Sequence, residues 1–137
     1  MGDLLRLLAK HRISLKAELD QEHIVDPNLI SEMVALADVG GDDVVLEVGS
    51  GLGNITESLA KIAKCVYAVE KYRQFEPILR AKFQGRRNVE MIFDNILDIR
   101  LPPFDKIVSN LPFSICEGLL QKLATSEFKL GSLIVPM

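Results

Sequence analysis

The sequence predicts an α/β fold in which a mostly parallel β-sheet is covered by helices on both faces. Short apolar segments, which are typical of buried strands, alternate along the chain with segments of helical periodicity. These apolar segments carry hydrophobic residues at consecutive positions, so both faces of the sheet would be buried. The chain has 137 residues, of which 48% are hydrophobic, and this is enough for one domain with a substantial core.

The first predicted elements are two helices. A short helix is predicted over residues 3–10, where leucines cluster. Asp26 and Pro27 have the residue types of a helix N-cap and a first helical position, so a second helix is expected to begin there. We expect Gly40 and Gly41 to end that helix. Its predicted apolar face consists of Leu29, Ile30, Met33, Val34 and Ala37.

The remaining elements alternate between strands and helices. Strands are predicted at residues 44–48, 65–70, 89–93, 106–109 and 132–135. Helices are predicted at residues 54–63, 75–83 and 114–124. Ligands of parallel sheets bind at the carboxyl ends of the strands, so the residues that follow each strand are the candidates for a site.

Composition and charge count against several classes of protein. The net charge is −3, whereas a domain that binds nucleic acid by itself is usually basic because it must neutralise phosphates. No run of about 18 apolar residues is present, and the N-terminus lacks the apolar region of a signal peptide. Cys65 and Cys116 lack the spacing of metal ligands, so we expect no metal and a cytosolic protein with reduced thiols.

A carboxylate and a glycine-rich turn end the first predicted strand, with the sequence EVGSGLG at residues 47–53. Glycines let a ligand approach the backbone closely, and the helix that follows offers free N–H groups. The spacing differs from the G-x-G-x-x-G pattern of dinucleotide sites. Glu47 would repel a pyrophosphate but suit an ammonium or sulfonium group. The candidate cofactor-binding residues are therefore Glu47, Gly49, Ser50, Gly51 and Gly53, although a tight strand-to-helix turn is the alternative.

Carboxylates also follow the second and third predicted strands. Glu70 lies about 20 residues after the glycine-rich turn, where a carboxylate can accept both ribose hydroxyls of a nucleoside. Asp94 is a candidate to accept a hydrogen bond from an adenine amino group, and Asp98 could compete for that role. Lys71 and Asn95 adjoin these acids and are included among the candidate cofactor-binding residues. A cationic adenosine that carries an amino acid is S-adenosylmethionine, and we expect this cofactor.

The fourth predicted strand leads into an unusual Asn-Leu-Pro-Phe motif (residues 110–113). The Asn110 side-chain carbonyl and the Leu111 backbone carbonyl can accept the two N–H groups of an exocyclic amine such as adenine N6. Pro112 fixes the loop, and Phe113 can stack on a base that has left its helix. Asn110 would also adjoin the cofactor, and catalysis would depend on positioning and electrostatics. The alternative is a proline turn with Phe113 in the core.

Several stretches together resemble the ribosomal RNA adenine N6,N6-dimethyltransferases, the KsgA-like family. Their order and spacing agree with that family over about residues 19–136. The Asn-Leu-Pro-Phe motif indicates methylation of an amino group, and the segment with Gln21 and Asp26-Pro27 adds specificity for the family. The stretches are LDQEHIVDPNLI, VVLEVGSGLGNIT, VYAVEK, FDNILDI and VSNLPFSI.

The resemblance implies a Rossmann-like methyltransferase fold, S-adenosylmethionine as cofactor and two adjacent adenosines of small-subunit ribosomal RNA as substrate. It adds Gln21 to the cofactor-binding residues. We expect a monomeric, cytoplasmic enzyme that acts on this RNA or on a pre-ribosomal particle. Family members continue into two further strands and a small helical domain. We therefore expect residues 1–137 to form one methyltransferase domain that is incomplete at its carboxyl end, with residues 1–25 as a helical or extended N-terminal segment.

The sequence departs from the family pattern at a few positions. Glu22 replaces a residue that approaches the cofactor in the family, and His23 replaces an aromatic residue. Phe113 stands where the family more often has tyrosine. Two alternatives stay open. One is a methyltransferase that acts on another amine, because nothing in the sequence reads the RNA sequence. The other is a non-catalytic module that binds S-adenosylmethionine or associates with the ribosome, which the departures at Glu22 and His23 favour.

Overall fold

The computed structural model describes residues 27–110, 113–124 and 130–134. Within them, one parallel sheet contains five strands: β1 (Val44–Val48), β2 (Cys65–Val69), β3 (Val89–Ile92), β4 (Lys106–Asn110) and β5 (Leu130–Ile134). The helices are α1 (Pro27–Leu36), α2 (Asn54–Ala60), α3 (Glu76–Lys82) and α4 (Phe113–Ala124), and a 3₁₀ turn spans Arg73–Phe75. The predicted α/β fold with a parallel sheet is confirmed. None of the described helices has the length and hydrophobicity that crossing a membrane requires.

The strand order β3-β2-β1-β4-β5 places helices on both faces of the sheet. Alternate residues of a strand point to opposite faces, and two of the core clusters divide accordingly. One cluster combines strand residues with α1 and α2: Ile30, Met33, Val34, Val45, Ile55, Leu59, Val66, Ala68 and Val108. The other combines strand residues with α4: Leu46, Val48, Val69, Ile107, Ile115, Leu119 and Leu123.

The contact between β1 and β4 is the point at which the order of the strands reverses. Chain connections run from β1 towards β3 on one side and from β4 towards β5 on the other. In open α/β sheets the ligand crevice lies at such a point, outside the carboxyl ends of the strands. The buried hydroxyl of Ser109 donates to the backbone carbonyl of Val48 across this contact. The strand before the Asn-Leu-Pro-Phe motif is therefore held in register with the strand before the glycine-rich turn.

The opposite, amino-terminal edge of the same two strands is joined by charged side chains. Lys106 forms an ion pair with Asp43, at 2.9 Å from Nζ to Oδ2, and also donates to the backbone carbonyl of Asp38. The Asp105 carboxylate accepts from the backbone N–H of Val44 at 2.9 Å. These contacts fix where β1 and β4 begin, far from the strand ends that carry the candidate site.

Helix α1 ends earlier than the sequence predicts. Its last residue is Leu36, and Asp38 has a left-handed φ of 50°. The backbone N–H of Asp38 donates to the carbonyl of Ala35 at 3.0 Å, which tightens the final turn. A residue in the left-handed region cannot continue a helix. Asp38 therefore ends α1, and the prediction that Gly40 and Gly41 do so is wrong.

Other predicted boundaries are corrected by a few residues. Pro27 begins α1 as predicted, but Leu29, expected on its apolar face, is 39% exposed. Helix α2 ends at Ala60 and not at residue 63. The backbone N–H of Ile62 donates to the carbonyl of Leu59, three residues earlier and not four as in an α-helix. Strand β5 begins two residues before the predicted segment. The helix predicted over residues 3–10 lies outside the described residues.

Candidate active site

Four of the predicted strand ends meet along one edge of the sheet. Strands β3, β2, β1 and β4 are neighbours in that order and all parallel, so their carboxyl ends lie side by side. Asp94, Glu70, the glycine-rich turn (residues 49–53) and Asn110 consequently follow one another along this edge. Neighbouring strands are about 4.8 Å apart, so the row spans roughly 14 Å. An extended ligand the size of a nucleoside with an amino-acid substituent matches that length.

Three left-handed residues shape the glycine-rich turn. Gly49, Gly51 and Gly53 have φ values of 81°, 56° and 84°. The backbone N–H of Gly49 donates to the carbonyl of Val69 at 2.8 Å, which ties the turn to the end of β2. The backbone N–H of Gly53 donates to the carbonyl of Ser50 at 2.8 Å and closes the turn. The backbone at this edge is therefore pre-formed, as a ligand site requires.

Gly53 has a packing role that the sequence did not reveal. A Cβ atom at this position would lie 2.8 Å from Cε2 of Phe83 and 3.1 Å from Cδ2 of Leu79. Phe83 and Leu79 are buried in the cluster around α3. Helix α3 thus packs directly on the turn, and the absence of a side chain at Gly53 permits this. The expectation that Gly53 also contacts a cofactor stays a prediction.

Gly53→Ala is expected to lower the free energy of unfolding more than Gly85→Ala, although both glycines have nearly the same φ. Gly85 has a φ of 81°, and a methyl group there would have no atoms within 4 Å, so alanine meets only backbone strain of about 1 kcal/mol. At Gly53 the contact with Phe83 adds overpacking, for a total of about 2 kcal/mol. Urea unfolding of the two variants measures the difference, and equal losses would contradict the packing role.

Glu47 lies buried beneath the glycine-rich turn. Its Oε1 accepts from the hydroxyl of Ser50 at 3.0 Å and from the hydroxyl of Thr56. Its Oε2 has no hydrogen-bond partner among the described residues, and the residue is only 1% exposed. Burial raises the pKa of Glu47 to about 7, against the opposing effect of the two hydroxyls. Such an acid, with one unsatisfied oxygen, is suited to a cationic group above it.

Glu70 connects the two strand ends on which a ribose would lie. Its Oε1 accepts from the backbone N–H of Gly51 at 2.7 Å, and its Oε2 accepts from the backbone N–H of Tyr72 at 2.8 Å. Burial raises the pKa of Glu70, while these backbone donors lower it. The sequence predicted a ribose-binding carboxylate but not this bracing of the turn. Each oxygen keeps a lone pair for a second donor, so both roles are compatible.

Lys71, which follows Glu70, faces an aromatic ring. Its Nζ lies 5.0 Å from the centroid of the Tyr72 ring, a distance that permits a cation–π contact. This contact gives Lys71 a local structural partner. Its predicted contact with a cofactor stays a prediction.

In the loop after β3, Asp94 lies at the surface, whereas Asn95 forms hydrogen bonds within the loop. Asp94 is exposed, and its Oδ1 accepts from the backbone N–H of Asn95 at 2.8 Å. The Asn95 Oδ1 accepts from the backbone N–H of Leu97 at 2.9 Å. Asn95 was predicted as a cofactor-binding residue, and the described contacts give it a role in shaping the loop. Asp94 is better placed than Asn95 to meet a ligand, since its side chain reaches solvent.

Lys82 is a supporting residue that the sequence analysis missed. From the last turn of α3, its Nζ donates to the carbonyl of Leu52 at 3.1 Å and to Oδ1 of Asn54 at 3.4 Å. It also lies 3.4 Å from a carboxylate oxygen of Glu57. The lysine therefore holds the glycine-rich turn to the start of α2. No local pattern marks it, because the partners are about 30 positions apart in the sequence.

The remaining predicted residues are described only in part. Asn110 is the last residue of β4, the strand that pairs with β1, and Phe113 is the first residue of α4. The side chains of these two residues lie outside the described part, as do Gln21, Leu111 and Pro112 in full. Among the residues that the structure describes, no group of three or more His, Cys, Asp or Glu side chains is arranged to hold a metal ion.

Solved structures with a similar fold include methyltransferases. A dimethyladenosine transferase from Plasmodium falciparum has a TM-score of 0.74 and 27% identity, over 83% of this chain and 43% of that one. The 23S rRNA methyltransferase ErmE has a TM-score of 0.76 over 85% of this chain and 48% of that one. Its identity is 24%, so that similarity concerns the fold alone.

Sequence relatives agree in their names. A probable ribosomal RNA small subunit methyltransferase A of Methanosarcina barkeri is 43% identical over 93% of this chain and 44% of its own length. The protein of the same name from Thermococcus kodakarensis is 37% identical over 96% of this chain and 47% of its own length. The chain thus spans a little less than half of these relatives. The sequence model described as ribosomal RNA adenine dimethylase matches residues 12–136, and with nearly the whole chain covered, the chain belongs to that family.

Proposed function

We propose that this chain is the S-adenosylmethionine-binding domain of an enzyme that methylates the N6 amino group of adenosines in small-subunit ribosomal RNA. The observation that carries the proposal is the order of the strand ends, Asp94, Glu70, the glycine-rich turn and Asn110. This is the order of adenine, ribose, methionine and acceptor amine in an extended cofactor with its substrate. Membership of the dimethylase family and the names of the relatives support adenosine in ribosomal RNA as the target.

The buried acids fit this cofactor better than they fit a dinucleotide. The unsatisfied Oε2 of Glu47 would receive the ammonium of the methionine part, and a pyrophosphate there would be repelled. The Glu70 oxygens, each with one backbone donor, keep lone pairs for the two ribose hydroxyls. Asp94 would accept from the adenine amino group. The residues present are therefore chemically suited to an adenosine that carries a positive charge.

The Asn-Leu-Pro-Phe motif would supply the chemistry at the acceptor amine. When bound, the cofactor supplies a methyl group on a positively charged sulfur. The carbonyls of Asn110 and Leu111 would accept hydrogen bonds from the two amine N–H groups, which directs the nitrogen lone pair towards that methyl group. Phe113 would stack on the adenine ring and hold it in place. Catalysis would then follow from orientation and fixed dipoles, with no covalent intermediate on the protein.

We further propose that the protein acts in the cytoplasm as a monomer, on small-subunit ribosomal RNA or a particle that contains it. The names of the relatives support this partner. The net charge of −3 provides little general attraction for phosphate, so binding would depend on the base pocket and on contacts with a folded particle. The RNA surface would therefore be recognised by shape as well as by charge.

The proposal predicts a specific loss of modified nucleosides. In cells that lack the gene, mass spectrometry of small-subunit ribosomal RNA should show unmethylated adenosines where the parent strain has N6-methylated ones, and the intact gene should restore them. Unchanged ribosomal RNA would overturn the proposal. If methylation of a different amine is lost instead, the result would support the alternative of a methyltransferase that acts on another amine. The same cell extracts can be searched for such a loss.

A further inference from the structure

The loop that leaves β3 is held by the helix that follows the Asn-Leu-Pro-Phe motif. Lys122, in the last turn of α4, donates from Nζ to the backbone carbonyl of Ile96 at 2.7 Å and to that of Ile99. Both carbonyls belong to residues 94–99, here named the β3 exit loop. The lysine therefore bonds to the segment that carries Asp94, the candidate adenine-binding residue.

An apolar contact joins the same helix to the same loop. A Cβ atom at Gly118 would lie 3.2 Å from both Cδ atoms of Leu97, so the helix approaches the loop closely at this glycine. Ile96 is 2% exposed and packs in one cluster with Leu119 and Leu123 of the helix. The loop is thus fixed against α4 by side-chain packing and by the two hydrogen bonds of Lys122.

Hydrogen bonds within the β3 exit loop give it a shape but do not place it on the protein. Asn95 makes three of them: its backbone N–H donates to Asp94, its Oδ1 accepts from Leu97 and its carbonyl accepts from Asp98. All of these partners move together if the loop moves as a unit. Its position relative to the sheet therefore depends on the packing of Ile96 in the core and on the contacts with α4.

We infer that Lys122 is a positioning residue that sets where Asp94 presents its carboxylate, and so controls recognition of the cofactor's adenine ring. The inference rests on the proposed function, because the ring is that of S-adenosylmethionine. Helix α4 begins at Phe113, about 14 Å from Lys122 along the helix axis. The same helix therefore begins at the last residue of the motif and contacts, near its other end, the loop that carries Asp94.

The preference of the protein for adenine over hypoxanthine in the ligand tests this role of Lys122. Calorimetry compares S-adenosylhomocysteine with S-inosylhomocysteine, in which an oxygen replaces the adenine amino group that Asp94 would bind. The wild-type protein should prefer the adenosyl ligand by about tenfold or more, since a hydrogen bond to a carboxylate is lost in the other. Lys122→Met, which keeps the aliphatic stem, should remove most of this preference, and so should Asp94→Ala. Lys122→Arg should retain it, because the guanidinium can donate to the same carbonyls.

A matched lysine at the opposite edge of the sheet separates positioning from stability. Lys106→Met removes an ion pair with Asp43 and a bond to a backbone carbonyl, so it should lower the thermal stability and leave the preference at its wild-type value. If Lys122→Met does not fold, Lys122→Gln offers a milder loss and should also reduce the preference. A folded Lys122 variant with the wild-type preference overturns the inference. A wild-type protein that binds neither ligand overturns the proposed function instead.

Discussion

Glu47→Gln is expected to increase the free energy of unfolding by about 3 kcal/mol at pH 8, an unusually large gain for one substitution. The pKa of Glu47 is about 7 in the folded protein, against 4.5 as its ordinary value. Between these values the folded state holds a proton that the unfolded state releases, so stability falls as the pH rises through this range. Above pH 7 the folded protein carries a buried carboxylate, and glutamine removes that cost.

The structure explains why glutamine should fit. Its amide oxygen can accept from the hydroxyls of Ser50 and Thr56, as Oε1 of Glu47 does. Urea unfolding at pH 5 and pH 8 measures the effect, and the gain should be less than about 1 kcal/mol at pH 5. Glu32→Gln on the exposed side of α1 is the control and should be nearly neutral at both values. A gain that does not depend on pH would contradict this account of Glu47.

The same substitution should weaken the affinity for S-adenosylmethionine if Glu47 receives the ammonium group. An acid kept in a buried position at a net cost to stability is typical of functional sites, where local rules are broken in favour of binding. Glu70 lies in the same situation, since burial raises its pKa as well. The buried acids at the carboxyl edge of the sheet therefore lower the free energy of unfolding, and the positive charge of a bound cofactor would offset that loss of stability.

Sequence patterns were sufficient to locate the edge of the sheet that carries the candidate site. Apolar runs predicted β1 to β4 within one or two residues, and a parallel sheet places the carboxyl ends of its strands together. Glu47, Glu70 and Asp94 could therefore be grouped without coordinates, although they are far apart in the chain. The residue types at these ends then indicated the chemistry.

Contacts between distant elements could not be predicted in the same way. The side chains of Lys82, Ser109 and Lys122 donate hydrogen bonds to backbone carbonyls of distant elements. The acceptors are Leu52, Val48 and Ile96, respectively, and each bond depends on how two helices, strands or loops pack against each other. Local secondary-structure propensity contains no information about such tertiary contacts. The same reason explains why Gly53 was assigned to a ligand and not to the packing of Phe83, and why Glu70 was not expected to hold the backbone of Gly51 and Tyr72.

Asn110→Ala is expected to lower kcat for methyl transfer by about 10²–10³ while leaving the affinity for S-adenosylmethionine nearly unchanged. Asn110 ends β4, and the buried bond between Ser109 and Val48 fixes that strand beside the glycine-rich turn. A carbonyl at this point would accept a hydrogen bond from the target amine while the nitrogen lone pair attacks the methyl group. Because that contact matters most in the transition state, its loss should appear in kcat.

Single-turnover methylation of small-subunit ribosomal RNA, with calorimetry for the cofactor, measures both quantities in a form of the protein that is active on that RNA. Asn88→Ala is the matched control, because its amide donates to the carbonyls of Ala60 at 2.7 Å and Ala63 at 3.3 Å, away from the site. The free energy of unfolding of that variant should fall by about 1–3 kcal/mol. Its kcat, measured well below the melting temperature, should equal that of the wild type. A folded Asn110→Ala protein with wild-type kcat would show that the motif does not carry the methyl transfer, whereas a fall in kcat at unchanged cofactor affinity places Asn110 at the acceptor amine.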